Sequence, residues 1–359
     1  MSLIGTLFSR QPPPLLGIDI GSSNIKLVEL GQAKSGSWVL EKCAIEPLDH
    51  GWVVDGTIEN FDEVLMAVKR LLKKTGTKTK NAAMALSPSA VITKKMMVPA
   101  GLSDQELEGQ VEAEANQYIP FALEEASLDF CVVGPSANSQ GDVEVLIAAS
   151  RKEKVQDRLA LAEAAGLKLN IIDVESYAAR LALSRLIQQL PNEGLNTTVA
   201  LFEIGSQSTT MQVLRDDKVL YEREQPFGSG QLIKLIVRQY GLTMEEAVIK
   251  RRNGELPSDY KASVLTPFIA GVSNEIGRAL QFFFTSTQHN SVDYILLSGE
   301  ASIFVGLPKA VTDQTSFPCA VVNPFEAMKI AEGVREKKLL SEAPAYLTAC
   351  GLAMRRFQR

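Results

Sequence analysis

Histidine is nearly missing: the 359-residue chain has two, His50 and His289. Imidazole-based zinc or iron centres and Ser-His-Asp hydrolases therefore lack their usual participant. Cysteine is almost as scarce, with Cys43, Cys131, Cys319 and Cys350 far apart and no C-x-x-C pair. Such isolated, apolar-flanked thiols suit a reducing compartment, where they behave as small core residues. No apolar run approaches the ~18 residues that a membrane span needs. Positive charge is not in excess either. Lys and Arg number 37 against 42 Asp and Glu, for a formal charge of -5, so nucleic acid is not expected as a partner.

What remains is an ordinary soluble composition, 45% hydrophobic and 22% charged. A chain this long makes two domains or one bilobed unit with a full core. The dense basic run Lys69, Arg70, Lys73, Lys74, Lys78 and Lys80 surrounds Leu65, Val68, Leu71 and Leu72. That spacing reads as the solvated face of an amphipathic helix, with a patch facing anionic lipid as the other option. Met1 to Leu7 is apolar but lacks a basic leader and runs into Arg10 and Pro12-Pro13-Pro14, so it is not read as a signal peptide. A cytosolic protein is expected. The tail Arg355 to Arg359 is expected to be a frayed helix end.

Residues 15–30, LLGIDIGSSNIKLVEL, place a small-residue turn between two apolar β-rich runs, a hairpin pattern. At an offset of 184 residues the pattern returns: Asp19-Ile20-Gly21-Ser22 falls on Glu203-Ile204-Gly205-Ser206 within TVALFEIGSQSTTMQVL. Between the two copies, strands and helices alternate, and Ser103-x-x-Glu106 is a capping box that opens a helix to about Tyr118. Pro191 to Asn196 reads as the boundary. Beyond the second copy come the turn Pro226-Phe227-Gly228-Ser229-Gly230, a charged helix from Met244 to Asn253, a strand that breaks at Ser298-Gly299, and a final helix rich in small residues.

A strand ending in Asp-x-Gly-Ser-Ser presents backbone N–H groups that can cradle phosphate oxygens. Asp19 offers a hard oxygen to a hydrated Mg²⁺, and Lys26 on the returning strand offers an ammonium to terminal phosphates. One such turn closes ordinary hairpins. Two in duplicated positions can clamp a polyphosphate from both sides.

With these turns in place, the sequence resembles the actin-like ATPase superfamily, which includes actin, the Hsp70 ATPase domain, sugar kinases and FtsA. Within it the chain resembles the PilM family of type IV pilus assembly proteins over about residues 15–357. The closer likeness rests on Leu16-Gly17-Ile18-Asp19-Ile20, on Pro99-Ala100-Gly101-Leu102-Ser103 with Gln117-Tyr118-Ile119-Pro120-Phe121, on Ala148-Ala149-Ser150-Arg151-Lys152-Glu153, and on Asp173-Val174-Glu175-Ser176-Tyr177-Ala178.

The resemblance implies an α/β duplicated actin-like (ribonuclease-H-like) fold. It comprises a tail at 1–14, a first lobe at 15–190 with an extra FtsA/PilM-type subdomain at 81–173, and a second lobe at 197–359. It implies ATP with Mg²⁺ between the lobes. The nucleotide contacts would be Asp19, Gly21, Ser22, Ser23, Lys26, Glu203, Gly205, Ser206, Gln207, Gly228, Gly230, Lys250, Arg251, Ser298, Gly299 and Glu300, and Asp19 and Glu203 would face the metal. No catalytic residue is assigned, and nucleotide would act as a structural ligand or assembly switch more than as fuel.

The implied partner is the N-terminal cytoplasmic peptide of PilN, held in a groove beside the extra subdomain, with other pilus platform proteins and self-association as further options. The location would be cytoplasmic, peripheral to the inner membrane through partners. Three positions depart from the superfamily pattern: Glu203 stands where Asp is usual, Gly299-Glu300 replaces Gly-Gly, and Ala247-Val248-Ile249-Lys250-Arg251 lacks the usual acidic residue. A small-molecule kinase of the same superfamily and an FtsA-like division protein are the alternative readings.

Overall fold

The computed structural model describes residues 12–136 and 139–358. The Met1–Leu7 segment, Arg10 and Arg359, on which expectations were placed, lie outside the described residues.

The chain enters the fold through β1 (Leu16–Ile20), β2 (Asn24–Gln32) and β3 (Trp38–Pro47), an antiparallel meander. The short pair β4 (Val53–Val54) and β5 (Thr57–Ile58) precedes α1 (Phe61–Thr75). Asn60 caps α1 by accepting from the Glu63 amide, and Gly76 ends it in the left-handed conformation. Val64, Ala67, Val68 and Leu71 recur at helical spacing and are buried against Leu16, Ile18, Ile25 and Leu27 of the sheet. The basic residues between them stay on the other face.

β6 (Asn81–Leu86) runs parallel beside β1. Then β7 (Val91–Pro99), α2 (Asp104–Tyr118), β8 (Ala126–Pro135) and β9 (Asp142–Arg151) form a separate sheet of order β7-β9-β8. α2 covers one side of it through Leu107 and Val111. Its N-terminus is the expected capping box, Ser103 and Glu106 bonding each other's backbone amides. α3 (Lys152–Ala164) leads back to β10 (Lys168–Val174), which pairs parallel with β6, and α4 (Glu175–Ile187) completes the first half.

The second half opens with the meander β11 (Thr198–Ile204), β12 (Thr209–Arg215) and β13 (Lys218–Gln225). Three helices follow: α5 (Gly230–Tyr240), α6 (Met244–Asn253) and the long α7 (Thr266–Ser286). β14 (Tyr294–Gly299) lies parallel beside β11, and after α8 (Leu307–Thr315) β15 (Cys319–Val321) lies parallel beside β14. The two sheets therefore share one topology: β3-β2-β1-β6-β10 in the first and β13-β12-β11-β14-β15 in the second. The hairpin repeat seen in the sequence extends to a whole lobe.

The last segment is β16 (Lys329–Ile330), α9 (Glu336–Glu342) and α10 (Leu347–Met354). It corrects the expected boundaries. β16 pairs with β3 of the first sheet, and α10 packs on β1 and α4, so the chain returns to the first lobe after β15 and 197–359 is not one unit. The extra subdomain is narrower than 81–173, because β6 and β10 are core strands of the first sheet and only 91–151 stands apart. Arg355 to Phe357 of the tail are not frayed. Arg355 grips Asp173 through Nε (2.6 Å) and Nη2 (3.0 Å), and Phe357 meets Trp38 edge-on at 4.7 Å.

α10 sits where it does because it has almost no side-chain bulk on the contact side. A Cβ on Gly351 would lie 1.7 Å from the Ala178 carbonyl oxygen of α4, and one on Gly17 of β1 would lie 2.1 Å from that of Ala349. Gly351→Ala is expected to lower the free energy of unfolding in urea by about 3 kcal/mol or more, through overpacking against backbone that cannot yield. Gly277→Ala in α7 is the control. Its nearest neighbour would be Gln314 Cγ at 3.6 Å, so the better helix propensity of alanine leaves stability unchanged or raises it by up to ~1 kcal/mol.

Candidate functional site

The two hairpin turns are built identically. The Gly21 amide donates to the Asn24 carbonyl and the Gly205 amide to the Ser208 carbonyl, both at 3.0 Å. The first strand of each hairpin ends in a carboxylate, Asp19 or Glu203, and the antiparallel register sets Lys26 opposite Asp19 and Thr210 opposite Glu203. Both turns open onto one cavity of about 520 Å³, within the range of small-molecule sites.

Nine expected residues line it: Asp19, Gly21, Ser22, Ser23, Lys26, Glu203, Gly205, Ser206 and Gln207; Gly299 and Glu300 join them at its far wall. Five do not. Gly228 and Gly230 brace the second turn from behind: the Ser229 amide donates to Gly205 O (2.8 Å) and the Gly230 amide to Ser206 O (2.9 Å). A Cβ on Gly228 would stand 2.5 Å from Ser206 O. Lys250 and Arg251 lie on α6, whose Ala247 belongs to the second-lobe core, and the Arg251 guanidinium rests 5.3 Å from the Phe304 ring. Ser298 is fully buried with its hydroxyl unpartnered among the described residues. Gly299 takes φ +86°, and its missing Cβ lets β14 approach Ile204 of β11.

The electrostatics are those of buried acids around one cation. Lys26 Nζ lies 3.0 Å from Asp19 Oδ2, with both side chains about nine-tenths buried. Burial alone would lower the ammonium pKa, but attraction from Asp19, Glu300 and Glu203 outweighs it and the net shift is upward. Burial pushes the Glu203 carboxyl up to about 7, although Thr348 Oγ1 of α10 donates to it at 2.7 Å. Burial, with the Asp19 and Glu203 charges, pushes Glu175 up to about 8.

Glu300 reaches across the cleft. Its Oε1 accepts from the Ser23 hydroxyl (2.6 Å) and from the Asn24 amide of the first turn. At the mouth, the Asp55 amide donates to Gln207 Oε1 at 3.2 Å, a further bond between the lobes.

Several lining residues were not anticipated: Asp55, Ser87, Ser89, Glu175, Ser176, Glu224 and Thr348. Glu175 and Ser176 open α4 directly after β10, where the carboxyl end of a parallel strand meets a helix, the usual ligand position in open α/β sheets. That signal was present in the sequence. Arg158 was not readable: it is 1% exposed and donates to Gly56 O at 2.8 Å, supporting the loop beside the cavity.

The residues fit a phosphate-bearing ligand that brings its own cation. Two turns with small residues face each other, and Ser176 offers a buried hydroxyl without a partner among the described residues. The lining acids Asp19, Asp55, Glu224 and Glu300, joined by Glu203 and Glu175 as these ionise above about 7 and 8, outnumber Lys26 and would repel a bare polyphosphate. No group of three or more His, Cys, Asp or Glu among the described residues could hold a metal alone. A Mg²⁺ here would complete its oxygen shell with phosphates and water, its usual habit. A larger hollow of about 800 Å³ between α7 and α8 is lined by Phe282, Phe284 and Phe317 together with polar side chains such as Asn274, Arg278 and Gln314, and has no carboxylate in its lining. No helix among the described residues is long and apolar enough to cross a membrane.

Glu175 and Glu203 keep protons in the folded protein that the unfolded chain releases near pH 4.5. Stability therefore falls as pH rises from there towards about 7 and 8, by about 1.4 kcal/mol per pH unit for each group, and levels off above. Glu175→Gln keeps the shape and removes the acid. Thermal unfolding should show the variant melting above the parent at pH 8 and with it at pH 5; an equal difference at both pH values would contradict the assignment.

The type IV pilus assembly protein PilM family matches residues 17–357. Among solved structures the chain is similar to a PilM-PilN type IV pilus biogenesis complex, at 30% identity and TM-score 0.78, over 96% of this chain and 99% of that one. It is more distantly similar to the ethanolamine utilization protein EutJ from Carboxydothermus hydrogenoformans, at 16% identity and TM-score 0.57, over 96% and 90% of the two chains. A nucleotide-free diol dehydratase-reactivating factor matches at 10% identity and TM-score 0.50, over 97% and 100%. The last two speak to the fold alone, which is the duplicated actin-like ATPase fold. By a match along nearly its whole length, the chain belongs to the family of the type IV pilus assembly protein PilM.

Proposed function

We propose that the chain is a cytoplasmic actin-like scaffold of the type IV pilus inner-membrane platform that holds ATP with Mg²⁺ between its lobes and captures the N-terminal cytoplasmic peptide of PilN beside its extra subdomain. The observation that carries the nucleotide reading is the pair of identical turns facing one cavity. In that reading the amides of Ser22, Ser23, Ser206 and Gln207 receive phosphate oxygens, Lys26 neutralises the terminal phosphate, and Asp19 and Glu203 orient the water around Mg²⁺. Glu300 withdraws from Ser23 and Asn24 as phosphate enters. Glu203 bonded to Thr348, and Lys26 already paired with Asp19, describe a site organised for binding more than for turnover.

The partner reading rests on family membership and on the similar solved complex, which pairs PilM with PilN. The extra subdomain adds a physical reason: Met97, Val132 and Val133 are about half exposed, apolar side chains on a sheet that could meet an extended peptide.

Titration with a fluorescent ATP analogue should saturate below millimolar concentration with Mg²⁺ and weaken without it. Lys26→Gln should weaken it about tenfold or more, the worth of one charge-assisted hydrogen bond. Absence of saturable binding removes the nucleotide reading.

The peptide site is tested separately. Val91 pairs with Ser150 across β7 and β9, so the ends of the extra subdomain are neighbours and residues 91–151 can be replaced by a two-glycine link. This variant should keep nucleotide binding and lose capture of a PilN N-terminal peptide in a fluorescence anisotropy assay; retained capture places the peptide elsewhere.

A further inference from the structure

The basic run on α1 plays no part in the cleft between the lobes, and the structure gives it company from far along the chain. Lys74 near the end of α1, Lys42 on β3, and Arg335 and Lys338 at the start of α9 line one hollow of about 330 Å³. Amphipathicity explains why Lys74 is at the surface. It does not explain why cations from β3 and α9 face the same space in a chain whose net charge is -5.

Local acids answer only half of the group: Lys338 and Lys74 have carboxylate neighbours, and Lys74 Nζ also donates to the Ile45 carbonyl at 2.6 Å. Glu342 is the one carboxylate in the lining, and Lys338 lies 3.3 Å from it. Glu46, at the α1 side, is engaged by Arg70 at 2.7 Å and only loosely approached by Lys74 at 3.8 Å. Neither Lys42 nor Arg335 has a carboxylate partner among the described residues. The remaining polar lining adds no negative charge. Burial pushes the Cys43 thiol up to about 11 and holds the Tyr346 hydroxyl well above its ordinary range, so both are neutral at physiological pH.

We propose that this hollow is a second binding site, for a phosphate group carried by a small phosphate monoester or by the headgroup of an anionic phospholipid. A planar guanidinium and two or more ammonium groups around neutral donors are the usual chemistry of phosphate recognition. The volume is at the low end for small-molecule sites, which suits a single phosphate group better than a nucleoside triphosphate. The site is separate from the cleft between the lobes and independent of whether ATP binds there.

Cys43 is a reporter inside the hollow. Its alkylation by iodoacetamide, followed by peptide mass spectrometry on the full chain at pH 8, should slow at least fivefold and saturably as inorganic phosphate is added, while Cys319 in the second lobe is unaffected. Lys42→Gln and Arg335→Gln, each checked for an unchanged circular dichroism spectrum, should each require about tenfold more phosphate for the same protection.

A second arm, without free phosphate, compares vesicles of phosphatidylcholine with and without phosphatidylglycerol. Protection by phosphatidylglycerol vesicles that is weakened in the same variants assigns the site to a headgroup, and protection by free phosphate alone assigns it to a soluble monoester. The proposal is overturned if neither protects, if chloride at equal ionic strength protects as well as phosphate, or if both variants are protected like the parent.

Discussion

The architecture depends on a contact between two backbones. α4 leaves the first lobe and α10 returns to it, and the two helices cross where Gly351 lies directly on the Ala178 carbonyl, with Gly17 of β1 against Ala349 and Ala353 on the adjacent side of α10. No side chain spaces them. That close approach lets both helices share one hydrophobic cluster that joins Val28 and Leu30 of the first sheet to Leu201 and Leu214 of the second. It also delivers side chains to the cavity: Ser176 from the start of α4 and Thr348 from α10, the latter holding Glu203. The helices that join the two sheets also form a wall of the site.

The cavity stores an unfavourable charge arrangement that the fold can tolerate because protons and hydrogen bonds relieve it. Isolated buried carboxylates cost several kcal/mol each and shift their pKa instead of remaining ionised. Asp19 has Lys26, Glu300 has Ser23 and Asn24, Glu203 has Thr348, and Glu175 retains its proton most strongly. A divalent cation accompanied by phosphate would replace several of these reliefs at once. On the proposed reading, this is why metal and anion would enter together.

How much of this was legible in the sequence follows from range. The hairpins, the capping box at Ser103 and the duplication were readable because each is a local pattern: Asp19 and Lys26 are seven residues apart, and turn register alone brings them opposite each other. The lobe topology followed from repeating that pattern. What was lost depended on distant packing. α7 is the exception, since its buried residues recur at helical spacing and Pro267 stands in its first turn, both local signals. The narrower extra subdomain could not be read because β6 and β10 look like its own strands until their parallel partners are known. Gly228 and Lys250 were placed in the site by the family resemblance, whereas the former supports a turn from behind and the latter lies on a helix outside the cavity lining.

The duplication is also where symmetry stops informing function. Lys26 in the first hairpin corresponds to Thr210 in the second, both at the register position opposite the strand-end acid. The first acid is answered by a cation within its own hairpin. The second is answered by a hydroxyl from α10, an element that belongs to neither repeat. One lobe thus carries its own charge balance, while the other relies on the segment that closes the fold. α10 touches both hairpins, the first through Gly17 of β1 and the second through Thr348, so the two turns, alike in backbone, differ in what balances their acids.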